Sequence, residues 1–227
     1  MKHSGKASQA ARKLLVLTFI ALLVILGIGV AAKFIGSMVA FLASGLFLIW
    51  VLFAIFTLYF FRDPSANAPT GLGLLVAPAH GTIDVIDETT EPQFMGGTCK
   101  RVSIFLSVVD VHVQKSPVAG KVTFLKHTIG KFLNAMKTDS ALHNENVLIG
   151  FESSDRGEKI GVRLIAGLIA RRIIPWISVG DDVARGERIS LIQFGSRCDL
   201  YFPSDYQIRV RLGDKAVGGE TILAAKG

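Results

Sequence analysis

From Leu14 to Phe61 the sequence carries one charge, Lys33, which leaves 19 uncharged residues before it and 28 after it. Continuous apolar runs of that length are membrane segments, not elements of a soluble core. The first run alone makes a helix of roughly 28 Å, close to the hydrocarbon core of a bilayer at about 30 Å. A signal peptide has an apolar core of only about 7–15 residues, and no polar, small-residue cleavage region separates the two runs. The sequence therefore predicts a basic amino terminus and a membrane hairpin over residues 1–61, with helices at about 14–32 and 34–61. The turn falls near Lys33, Gly36 and Ser37. A re-entrant hairpin that dips into the membrane and returns is the alternative.

Charge sets the orientation. Lys2, Lys6, Arg12 and Lys13 precede the first run, and no Asp or Glu appears before Asp63. Basic flanks stay on the cytoplasmic side. A hairpin then returns Arg62 and the rest of the chain to the cytoplasmic face of the cell membrane. The net charge of +7 is mostly this signal: residues 1–61 hold +5, whereas 62–227 hold 20 Lys/Arg against 18 Asp/Glu. No basic stripe with interleaved aromatics is present, so nucleic acid is not an expected partner. Cys99 and Cys198 are expected to be free thiols in a reducing compartment.

After Arg62-Asp63-Pro64 and a short Ser/Ala/Asn/Pro linker, short apolar runs alternate with Gly, Pro and Asp. Strands are expected near 74–77, 82–86, 102–106, 111–114, 120–125, 147–152, 159–164, 188–193, 198–202 and 207–211. Residues 126–145 read as loop or short helix, and 165–172 as strand or helix. The class is mainly β: a small barrel or sandwich of short strands over residues 62–227.

Within that domain, Gly195-Ser196 is a candidate for self-cleavage. A serine hydroxyl can attack the preceding carbonyl and convert the amide to an ester. Elimination leaves dehydroalanine, which hydrolyses to a pyruvoyl group. An isolated Gly-Ser is usually a turn, so the surrounding motifs decide its meaning. Phe60-Phe61-Arg62-Asp63-Pro64, Asp110-Val111-His112-Val113, Pro117-Val118-Ala119-Gly120, Gly167 to Ile173, Gly186-Glu187-Arg188-Ile189 and Phe194 to Leu200 occur in this order. Together they resemble the short-form phosphatidylserine decarboxylases, membrane-anchored pyruvoyl enzymes of phospholipid synthesis, from about Phe60 to Thr221.

That resemblance implies a proenzyme cut between Gly195 and Ser196. Residues 1–195 would form the larger chain and 196–227 a small chain headed by the pyruvoyl group, and the two would stay associated. The substrate would be a membrane phospholipid whose amine forms a Schiff base with the pyruvoyl carbonyl. This electron sink takes the place of a diffusible cofactor. A homodimer is compatible with this reading. The resemblance also puts His112 in the active site, where an imidazole can hold substrate or return a proton.

At residue 80 the sequence departs from the family, which usually has Ala-Asp-Gly where this chain has Ala79-His80-Gly81. Three readings stay open. His80 itself activates Ser196, its unperturbed pKa near 6.5 suiting neutral pH; Asp84 or Asp110 orients a histidine; or processing is slow or lost. Lys115 and Arg197 are candidate substrate-binding cations, with Arg171 and Arg172 weaker phosphate candidates.

Two other classes remain. One is a non-enzymatic, membrane-anchored lipoyl-like adaptor module, for which Lys121 is a poor attachment site. The other is a zinc hydrolase on His80 and His112, for which His127 and His143 give no convincing third ligand; no metal is expected.

Overall fold

A computed structural model describes residues 6–131, 144–167, 172–192 and 196–227, with side chains from residue 15 onward. The chain divides into two compact units, Met1–Thr57 and Leu58–Gly227.

The described part of the first unit is helical, within α1, Lys6–Phe60. This is a correction to the expected pair of helices at 14–32 and 34–61: the helix runs through Lys33 without a break. The segment has no proline, and the Ser37 hydroxyl donates back to the Phe34 carbonyl at 2.8 Å. Ser44 and Thr57 likewise donate to Ala40 and Phe53. Such back-bonding satisfies hydroxyls inside the helix itself, as an apolar surrounding requires. Leu15–Phe60 is long and apolar enough to cross a membrane. Its large side chains are exposed on all sides, the pattern of a helix meant for lipid. The helix stops before Pro64, which disfavours a helical conformation at Asp63.

The second unit is built from strands, as expected. They are β1 (Leu74–Val76), β2 (Gly81–Glu91), β3 (Gly97–Leu106), β4 (Val113–Lys115), β5 (Gly120–Thr128), β6 (Asn146–Ser153) and β7 (Lys159–Ala166). The chain continues through β8 (Ile173–Pro175), β9 (Asp182–Val183), β10 (Arg188–Ile192), β11 (Ser196–Phe202), β12 (Gln207–Ile208), β13 (Lys215–Ala216) and β14 (Ile222–Ala225). Eight strands form one curled sheet in the order β13-β2-β3-β11-β7-β6-β5-β9. Two small sheets, β4-β10-β8 and β1-β14-β12, complete the unit.

Strand β11 lies near the middle of the large sheet, between β3 and β7. Alternation sends Cys198, Leu200 and Phe202 into the main apolar core with Val102, Ile104, Val162 and Leu164. Arg197, Asp199 and Tyr201 take the other face and are buried there too. Both cysteines are free thiols. The expected loop at 126–145 begins later than thought, since β5 runs to Thr128; residues 132–143 lie outside the described residues. The ambiguous 165–172 stretch starts as the end of β7, and 168–171, Arg171 included, are also outside them.

Candidate active site

Strand pairing draws the sequence motifs together. Strands β3 and β11 pair in the large sheet with Leu106 opposite Ser196, and β4 and β10 pair in a small sheet with Val113 opposite Leu191. The large sheet and this small sheet are linked in sequence three times, between β3 and β4, between β7 and β8 and between β10 and β11; Ala166 of β7 lies opposite Ser196, and Ile173 of β8 opposite Ile192. The Asp110–His112, Gly167–Ile173 and Gly195–Ser196 motifs fall at these three links in the sequence. Gly195 lies outside the described residues; Ser196 heads β11.

Ser196 is fully buried, and among the described residues its hydroxyl has no hydrogen-bond partner. An unpaired buried hydroxyl costs free energy, about 1–3 kcal/mol on mutational scales. Natural folds keep few such groups, and each calls for an explanation; Ser103 Oγ is a second unpaired hydroxyl among the described residues.

His112 is also fully buried. The Ile192 amide donates to its carbonyl at 3.2 Å, tying it to the strand that leads to Ser196. Its Nδ1 lies 2.9 Å from the Asp110 carbonyl oxygen. A carbonyl can only accept, so Nδ1 carries the proton and the lone pair is on Nε2. The Phe60 ring packs on the imidazole, with centroids 4.4 Å apart. Burial lowers the His112 pKa and Arg62 adds to this, against the Asp110 carbonyl bond and the Asp110 charge, so the ring is neutral at pH 7.

His80 precedes β2, on the other side of β3 from β11. Across β3 the register runs from Arg197 through Phe105 to Thr82, so Gly81 and Ser196 are about two strand spacings, or roughly 10 Å, apart in backbone. Gly81 has φ +153°, and a Cβ there would overlap the Phe105 carbonyl oxygen. Only glycine lets the chain enter the sheet so close to β3. Gly218 does the same for the ring: a Cβ would meet His80 Cδ2 at 3.0 Å. His80 is half-buried. Burial lowers its pKa, and Lys115 and Arg62 reinforce this against Asp110 and Glu220.

The two acids considered as histidine partners are engaged elsewhere. Asp110 Oδ2 accepts from the Ser107 amide and hydroxyl, both at 2.8 Å, which closes the turn that carries His112. Asp84 pairs with Arg197. It sits at a β-bulge between Ile83 and Val85, where an extra residue re-aims the side chain. Burial raises the Asp84 pKa despite Arg197, and its Oδ1 stays unpaired. Arg197 itself is 2% exposed. Lys115 is 1% exposed and bonds Asp63 at 3.1 Å, while Arg188 takes the second oxygen of the same carboxylate.

Residue-by-residue reading of the sequence had not given roles to Phe60, Arg62 or Asp63. Phe60 covers His112, Arg62 Nη2 donates to the Val109 carbonyl at 2.7 Å, and Asp63 joins β4 to β10. The signal was present in Phe60–Pro64 as a motif at the end of an apolar run. Among the described residues no three His, Cys, Asp or Glu side chains converge as metal ligands. His127 bonds Glu145 at 3.0 Å, and His143 lies outside the described residues.

A family model described as phosphatidylserine decarboxylase matches residues 53–224. The chain is 43% identical to a phosphatidylserine decarboxylase proenzyme of Symbiobacterium thermophilum over 196 residues, covering 84% of this chain and 91% of that one. It is 45% identical to the proenzyme of Desulfotalea psychrophila, over 77% of this chain and 81% of that one. It is 39% identical to that of Ruegeria pomeroyi, over 85% and 91%.

Proposed function

The chain belongs to the phosphatidylserine decarboxylase family, and from that premise we propose how its own residues carry the reaction. It is a membrane-associated enzyme that converts phosphatidylserine to phosphatidylethanolamine, releasing carbon dioxide. The observation that carries the assignment of roles is the Ser196 hydroxyl, fully buried and without a partner at the head of a central strand.

In the first stage Ser196 Oγ attacks the Gly195 carbonyl carbon. The Ser196 nitrogen takes up a proton, and an ester replaces the amide. Removal of the Ser196 Cα proton expels the Gly195 carboxylate and leaves dehydroalanine. One water then enters and one ammonia leaves, giving a pyruvoyl group at position 196. The hydroxyl has no hydrogen bond to give up in this attack, which suits it to the step. His80, neutral at pH 7 and two strands away, is the proposed base for the hydroxyl proton. Products 1–195 and 196–227 stay together because β11 is paired along both edges.

The residues present fit a pyruvoyl group at this position, since the site is buried and its one polar side-chain atom is unpaired. Such a group supplies an electrophilic carbonyl able to accept the electron pair left when carbon dioxide departs. His112 excludes water together with Phe60 and offers Nε2 to exchange a proton with the substrate carbon. The Arg197–Asp84 pair anchors the residue next to Ser196 and so holds the head of β11 in place. The catalytic unit faces the cytoplasm, the side on which the basic flank Lys2, Lys6, Arg12 and Lys13 stays.

The test is decarboxylation of phosphatidylserine vesicles by the wild type and by Ser196→Ala. Wild type should form phosphatidylethanolamine, and the variant should fall to the assay background. Turnover by Ser196→Ala at the wild-type rate would remove Ser196 from the mechanism.

A further inference from the structure

We propose that Arg62 is the residue that holds the phosphodiester of the lipid substrate. The inference rests on the decarboxylase reading above and adds a binding site to it.

Arg62 comes two residues after the helix end at Phe60, where the apolar segment gives way to polar chain and headgroups are met. Its guanidinium is fixed from two sides. Nη1 donates to the Tyr59 carbonyl at 2.8 Å and Nη2 to the Val109 carbonyl at 2.7 Å. The Tyr59 ring lies 3.9 Å from Cζ. Five N–H groups are available on an arginine, and these two bonds leave the fork with donors to spare. No acid pairs with Arg62 among the described residues. Other cations nearby have acid partners: Lys115 and Arg188 share Asp63, and Arg197 has Asp84. Arg62 is thus a pre-oriented positive charge without a counter-ion, close enough to His80 and His112 to lower both their pKa values.

The surroundings suit a lipid. The Ser107–Asp110 turn is closed by the Asp110 amide on the Ser107 carbonyl at 3.0 Å and by the Asp110 carboxylate. It presents Val108 and Val109 outward, 38% and 55% exposed, beside the guanidinium that grips its backbone. Phe61 is 40% exposed next to it. Apolar side chains around an unpaired cation match a phospholipid at the interface: phosphate on the fork, acyl chains against the valines.

The reaction says which anion the cation should hold. The substrate carboxylate loses its charge as carbon dioxide forms, so a cation on it would favour the ground state and slow the step. The phosphodiester stays charged throughout. Binding it is uniform, improving KM without raising kcat.

The experiment uses the full-length, processed protein in mixed micelles with two substrates. One is phosphatidylserine. The other is its methylphosphonate analogue, in which methyl replaces the anionic phosphate oxygen. Wild type should prefer the phosphodiester by about tenfold in kcat/KM, and Arg62→Gln should lose that preference through KM, with kcat within about twofold. Arg62→Lys, which keeps the charge but not the fork, should fall between. Arg172→Gln tests the other candidate cation in this region and should keep the wild-type preference. An active Arg62→Gln with the wild-type preference overturns the inference, as does loss of preference in Arg172→Gln alone. If the Gln variant is not processed, Arg62→Lys decides: a reduced preference supports the site and an unchanged one overturns it. A wild type inactive on both lipids overturns the decarboxylase reading, and this inference with it.

Discussion

Burial keeps two histidines, His80 and His112, neutral at pH 7. A histidine whose folded pKa lies below its unfolded value destabilises the fold as acid is added. The unfolded chain takes up the proton more readily, so stability present above about pH 6.5 is lost as pH falls through the folded pKa. Self-processing should show the same direction. Precursor made in a cell-free system should cleave at full rate at pH 7 and slow below pH 6.5, with the midpoint below that of a free imidazole. His80→Ala should slow cleavage by about 10²–10⁴-fold, the usual worth of a general base. Cleavage of His80→Ala at the normal rate would pass the role to another group. The proposed reactive residues Gly195, Ser196 and His112 stand in compact motifs that the sequence displays directly. The partners of Asp84 and Asp110 were not legible there. Arg197 is 113 positions from Asp84, and the two meet only through a β-bulge and a strand register that local spacing does not encode.

At the scale of elements, ten strands could be read from alternation and turn residues, and the structure contains each of them. The four missed, β8, β9, β13 and β14, have two to four residues. So few residues carry no period; β8, β9 and β13 pair with the longer β10, β5 and β2, and β14 with the short β1 and β12. The membrane segment divides differently. Composition pointed to a hairpin, whereas the chain forms one helix of 55 residues, about 80 Å at 1.5 Å per residue and well over twice the hydrocarbon thickness. A single straight crossing would leave much of its apolar surface in water. The proposed cytoplasmic placement of the catalytic unit requires both chain ends on one side of the membrane. Epitope tags at the two chain ends, probed with protease in sealed vesicles, should then be accessible from the same side. Tags found on opposite sides would establish a single crossing.

In the whole molecule, the ends of β3, β7 and β11 in the large sheet and of β4, β8 and β10 in a small one are held in register, with Leu106 and Ala166 opposite Ser196 and Ile173 opposite Ile192. The proposed cleavage bond precedes Ser196, at the head of the strand between β3 and β7. The topology suits the proposed cleavage: a cut before Ser196 would leave β11 paired with both its neighbours, β3 and β7. The central claim is that the bond before Ser196 breaks and leaves a ketone, and denaturing mass analysis of the purified protein tests it most directly. The account predicts two chains, 1–195 and 196–227, the smaller about 17 Da lighter than the same peptide beginning with serine, the change expected for conversion to pyruvoyl. A single intact chain in a folded, active sample would contradict it.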